Sequence, residues 1–189
     1  MSVRPVAGLF VGGGSTRMGG APKGLLVAPG GGTILGRLVR ICTEAKLEPV
    51  LVGRNEAVEA AFPALQALDD RPGGIGPIGG LAALLHHAGD EAFLLACDLP
   101  AIEAALIHRL RAHAPGAAVV APRDPEGRWQ PFFSRWRAGV MRDPVDAAIA
   151  GGERSMQRLL SAHAAELPLS GEAWRKLRDW DTPGDVAAG

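Results

Sequence analysis

The chain has 189 residues, 47% of them hydrophobic, enough to bury one sizeable core without disulfide support. Twenty Lys and Arg balance twenty Asp and Glu, so no chain-wide positive field draws in nucleic acid. Its two cysteines, Cys42 and Cys97, are too few for a disulfide framework or a four-ligand zinc site and fit a reducing, cytoplasmic setting, while no stretch approaches the ~20 apolar residues of a membrane span or makes a signal segment.

Short apolar runs alternate with longer segments of helical spacing. This predicts an α/β chain: a three-layer, Rossmann-like, mostly parallel sheet with helices on both faces. Residues 6–11 read as a first strand buried on both faces, and the glycine-rich stretch FVGGGSTRMGGAPKGLL follows from within its end. Thr33 suits the N-cap of a helix over 34–45, with Leu35, Leu38, Val39 and Cys42 on one face, before a second strand over 49–52. A weaker helix over 57–62, a third strand over 64–68 and a helix over 78–88 with Leu81, Leu84 and Leu85 inward come next. Residues 92–97 form the most convincing strand. A helix over 101–114 carries Ile102, Leu106 and Leu110 at i, i+4 and i+8, and a buried strand over 117–121 follows. A charged turn over 123–128 leads to an edge or antiparallel strand over 131–134, helices over 140–150 and 155–162, and a last strand over 166–169. No repeat or linker composition divides the chain, so residues 1–189 read as a single domain.

Glycines between a buried strand and a helix allow positive φ and a close approach of ligand to backbone amides, which makes an anion-binding concavity. The P-loop grammar GxxxxGK[ST] fails, because Lys23 lies between Pro22 and Gly24. The dinucleotide fingerprint GxGxxG fits Gly12 and Gly14 and fails at Arg17, and no acid follows Val52 to hold a ribose. What stands is GGGSTRMG…K, in which Arg17 and Lys23 flank backbone donors, an arrangement suited to a polyphosphate.

Two further segments bear chemistry. FLLACDLPAI ends a strand on Asp98, on the sheet edge where ligands of open parallel sheets bind. A carboxylate there suits magnesium on a nucleotide, or the N-cap of the following helix, and both roles are compatible. LDDRPGGIGPIGGLAALL places Asp69 and Asp70 before a glycine-rich loop that includes Gly76 and Gly80, where a carboxylate suits a ribose or the N–H edge of guanine. His86 and His87 fit the carboxyl-end dipole of their helix better than a metal, and Ser15 has no triad context. The scattered Trp129, Trp136, Trp174 and Trp180 make no stacking platform for single strands. Among the arginines over 123–142, Arg128 and Arg135 are candidates to meet an anionic second substrate.

These residues carry a resemblance. FVGGGSTRMGGAPKGLL resembles the signature LAGGxSxRMGxxKxLL of the nucleotidyltransferases that make the dinucleotide form of the molybdenum cofactor. GPIGG is similar to that family's GPLAG, CDLP to its CD(x)P, and DWDTPGDV more loosely to its closing N(x)NTPE(E/D). The resemblance implies a fold of the nucleotide-diphospho-sugar transferase type and a cytoplasmic enzyme that joins GMP from GTP to molybdopterin, with magnesium, releasing pyrophosphate. It implies a nucleotide-binding half over about 6–102 and an acceptor-binding half over about 103–189. Phe10, Val11, Gly12, Gly13 and Gly14 take the nucleotide loop, and Arg17 and Lys23 are its catalytic cations. Asp98 is the metal-binding catalytic acid; Asp69 or Asp70, with Gly76 and Gly80, contacts the nucleotide. Transient contact with molybdoenzymes or other cofactor-synthesis proteins is expected of such an enzyme. The chain departs from the pattern at Val11, Pro22, Gly53, Gln130 and Asp181, with Asn55 the candidate to replace a nucleotide contact missing at Gly53. A cytidylyltransferase using CTP and a non-catalytic nucleotide-binding adaptor are the rival readings.

Overall fold

A computed structural model describes residues 4–11, 22–28 and 31–177. Strand β1 (Val6–Phe10) runs parallel to β2 (Glu48–Val52) on one side and β4 (Glu91–Ala96) on the other; β2 in turn pairs with the two-residue β3 (Ala67–Leu68). Beyond β4 lie β6 (Phe133–Arg137), antiparallel to both neighbours, then β5 (Val119–Ala121) and β7 (Ala164–Glu166). The seven strands therefore run in the order β3-β2-β1-β4-β6-β5-β7.

Helices cover both faces because the strand side chains alternate. Ala7, Leu9 and Val11 of the β1 segment, with Leu51, Phe93 and Leu95, pack under α1 (Ile34–Glu44) and α4 (Ala104–Ala112). Val6, Val50, Val52, Ala92 and Leu94 pack under α3 (Pro77–His87), α5 (Ala138–Ala150) and α6 (Met156–His163). A Cβ on Gly8 would stand 2.6 Å from Leu84 Cδ2, so glycine lets α3 lie close on β1. Thr33 caps α1 as its sequence predicts, its Oγ1 accepting from the Gly36 amide at 3.0 Å.

Some boundaries move. The third strand shrinks because residues 62–66 turn, with the Leu65 amide bonded to the Phe62 carbonyl, before pairing begins. The strand expected over 166–169 occupies 164–166, since Pro168 has no N–H to continue a ladder. Pro100 holds residues 99–103 out of the helix, and α4 begins at Ala104. The strand expected over 131–134 sits at 133–137, inside the sheet and antiparallel to both neighbours. Two short helices complete the chain: α2 (Glu56–Ala61) and α7 (Gly171–Arg175), the second not anticipated from periodicity. Its signal was Ser170, which accepts from the Ala173 amide, with Glu172 in the first turn.

The strand order reverses around β1: β2 and β3 lie to one side of it, and β4 follows on the other, all parallel. Ligands of open α/β sheets bind at the strand carboxyl ends at such a reversal. Phe10, Val52 and Ala96 share one register row there, so residues 11, 53 and 97–98 emerge side by side.

Candidate active site

The residue after Cys97 is Asp98, and a 3₁₀ turn at Lys23–Leu25 docks against this corner. A Cβ on Gly24 would meet Leu35 Cβ at 3.3 Å and Cys97 Cβ at 3.4 Å, so a glycine lets the turn seat tightly. Lys23 Nζ is thereby held 3.1 Å from Asp98 Oδ2, with side chains 21% and 18% exposed. Partial burial makes this pair stronger than a surface ion pair. Asp98 does not cap α4, whose N-cap position is Glu103. Cys97 beside it is not a nucleophile, because burial first, and then the Asp98 charge, push its thiol up to about 12.

Lys23 and Asp98 stand in a cleft of about 1000 Å³, a size that accommodates a nucleotide and more. Phe10, Val11 and Pro22 line the same wall. Phe10 packs edge-on against Phe132, ring centres 5.5 Å apart, which joins the carboxyl end of β1 to the segment leading into β6. Facing them are the turn over 124–126, Gln130, and Trp174 and Arg175 of α7. Four of the sequence candidates, Phe10, Val11, Lys23 and Asp98, thus meet in one cleft. Arg17, Gly12, Gly13, Gly14 and Asp181 lie outside the described residues.

The second group sits behind Phe10. A Cβ on Gly80 would lie 2.7 Å from Phe10 Cε1 and 3.2 Å from Asp70 Oδ1, so Gly80 is the thin point between ring and carboxylate. Asp70 is drawn toward its protonated form by burial and, secondarily, by Asp69. Asp69 points outward, 78% exposed, 3.6 Å from Arg54 Nε. Gly76 is the N-cap of α3, at φ 78°, directly before Pro77. None of these four lines the cleft itself.

Several other candidates take structural roles. Arg135 is 2% exposed and donates to Glu91 Oε1 at 3.1 Å and to the Ala114 carbonyl at 2.9 Å, so it braces β6 rather than meeting an anion. Arg128 donates to Asp124 at the turn. Asn55 caps α2 through its side-chain oxygen, which accepts from the Val58 amide. His86 Nε2 meets Asp146 Oδ2 at 2.7 Å and so ties α3 to α5, a partner sequence spacing did not reveal. Trp129 and Trp136 are buried, each indole N–H donating to a serine, Ser161 and Ser134. Among the described residues no group of three or more His, Cys, Asp or Glu converges as a metal cage, and no helix is long and apolar enough to cross a membrane.

The model of the MobA-like NTP transferase domain matches residues 7–167, which span β1 to the segment after β7 and contain both Lys23 and Asp98. The chain belongs to this family. Within it, the chain is similar to the probable molybdenum cofactor guanylyltransferase of Mycobacterium marinum, 33% identical over 97% of this chain and 92% of the other. It is 32% identical to the molybdenum cofactor guanylyltransferase of Pseudomonas putida over 93% of this chain and 92% of that one. The fold is that of the molybdopterin-guanine dinucleotide biosynthesis protein A of Archaeoglobus fulgidus, at 19% identity, with a TM-score of 0.77 over 97% and 95% of the two chains. The chain is a nucleotidyltransferase of the molybdenum cofactor guanylyltransferase branch of the family. The α/β, mostly parallel reading of the sequence holds, and so does the family assignment drawn from its glycine loop and CDLP.

Proposed function

We propose that the chain transfers GMP from GTP to the terminal phosphate of molybdopterin in the cytoplasm, releasing pyrophosphate. The observation that carries this is the Lys23–Asp98 pair, 3.1 Å apart at the carboxyl ends of β1 and β4, in a cleft with room for two substrates. Residues 6–102 supply the nucleotide side and residues 103–189 the acceptor side of one domain. An acceptor phosphate oxygen attacks the α-phosphorus in line; the new P–O bond forms as the bond from the α-phosphorus to the bridging oxygen breaks, and pyrophosphate departs with that oxygen.

The protein's part is positioning and charge. Lys23 neutralises charge building on the leaving pyrophosphate, and Arg17 with the amides of Gly12, Gly13 and Gly14 grips the outer phosphates. Phe10 and Val11 border the nucleoside. Asp70, partly buried beside Gly80 and behind Phe10, is the acid assigned to the base edge; Asp69 is engaged with Arg54 outside. Asp98 offers a carboxylate, and among the described residues no group of three or more His, Cys, Asp or Glu converges as a cage, which fits magnesium, an ion that takes one or two carboxylates and completes its shell with phosphate oxygens and water. Bound there, magnesium would offset phosphate charge. Transient contact with molybdoenzymes belongs to the same reading.

Replacing Asp98 with alanine tests it. We expect kcat/KM for pyrophosphate release to fall at least 100-fold, about 2.7 kcal/mol or more. Turnover within about tenfold of wild type would remove Asp98 from the reaction.

A further inference from the structure

The cleft has a second cationic side chain among the described residues, and it stands on the acceptor side. Arg175 lines the cavity from α7, exposed, with no ion pair or hydrogen bond to any described residue. Lys23, the other cation of the cavity, is already held by Asp98 at 3.1 Å. The turn over 124–126 brings two acids to the same cleft: Asp124, whose carboxylate is held by Arg128 and Gln130, and Glu126. An anionic acceptor entering the cleft meets the Glu126 carboxylate, and Arg175 is the cation among the described lining residues that no carboxylate already holds.

The helix that carries it is anchored at three points. Ser170 caps it, Ala173 is buried in the core under the sheet face of α1 and α4, and Lys176 Nζ meets Glu103 Oε2 at 2.8 Å, which ties it to the start of α4. Those anchors leave Trp174 and Arg175 on the cleft, an aromatic surface next to a guanidinium. A guanidinium grips phosphate through two parallel N–H···O bonds, and an indole covers a flat heterocycle.

Resting on the transfer reading above, we infer that Arg175 binds the terminal phosphate of the acceptor and sets its attacking oxygen, with Trp174 beside the pterin. Arg175 lies outside every motif that carries the family resemblance.

The test is a binding titration that does not depend on turnover. Molybdopterin, kept anaerobic, is added to the full chain while tryptophan fluorescence is followed, and GTP is titrated separately with magnesium. Arg175→Ala should weaken molybdopterin binding tenfold or more, Arg175→Lys should fall between, and GTP affinity should stay within twofold for both. Trp174→Phe should remove most of the quenching signal. Arg175→Ala binding molybdopterin within twofold of wild type overturns the inference, as does an equal loss of GTP affinity. Pyrophosphate release, measured in parallel on the wild type, reports on the transfer reading separately: acceptor binding through Arg175 without release under any NTP would overturn transfer and leave this contact standing.

Discussion

Lys23 and Asp98 are separated by 75 residues of sequence and 3.1 Å of space. Each was legible alone: a lysine after a glycine loop, an acid at the end of an apolar strand. Their ion pair was not, because it depends on Gly24 seating a short turn against Cys97, a tertiary fit with no period in the sequence. Cys42 is fully buried in α1 and Cys97 partly buried, and at Cys42 burial pushes the thiol up to about 12. The folded form keeps its proton while the unfolded chain loses it near its ordinary value, so the stability that Cys42 contributes is complete below about pH 8 and is lost between about 9 and 12. In urea unfolding, the stability gap between wild type and Cys42→Ala should shrink by roughly 1–2 kcal/mol from pH 8 to pH 10. A constant gap would contradict the burial of the thiol. Arg135, a candidate to meet an anionic second substrate from sequence, is instead enclosed by two strands and the segment after α4, with Glu91 and backbone carbonyls as its partners.

At the scale of elements, hydrophobic period located the strands and helices that are apolar along their length, such as α1, α3 and β4. It misplaced those whose limits depend on a proline or on a partner strand. The strand expected over 131–134 as an edge or antiparallel strand is antiparallel, but it sits at 133–137 between β4 and β5, with Ser134 accepting from the Trp136 indole. The glycines of α3 are not interchangeable with a generic turn composition either. A Cβ on Gly79 would stand 2.4 Å from the Pro72 carbonyl oxygen, so the loop carrying Asp70 and the helix must approach this closely. Gly139, near the start of α5, has nothing within 4 Å of its would-be Cβ. Gly79→Ala should therefore destabilise by about 1–3 kcal/mol through overpacking, and Gly139→Ala should stabilise by up to about 1 kcal/mol. Chemical denaturation of the two variants checks the contrast, and equal effects would show that the α3 contact is not what requires glycine.

For the whole molecule, the reversal of strand order around β1 positions the cleft: the ends of β1 and β4 and the turn at Lys23–Leu25 bring Phe10, Asp98 and Lys23 to it, and later segments bring Gln130, Trp174 and Arg175. The side proposed for the nucleotide was legible because glycines, a cation and an acid at strand ends have few other uses together. The side proposed for the acceptor was not, since α7 is a five-residue helix with no repeating apolar face, and a lone Trp-Arg pair in such a segment reads as surface. Guanylyl transfer at this cleft is put to the test by mixing the chain with molybdopterin, magnesium and each NTP in turn and measuring pyrophosphate. Release with GTP, at least tenfold faster than with CTP, ATP or UTP and dependent on molybdopterin, is the expected result; release with CTP in preference to GTP, or with none of the four, would contradict it.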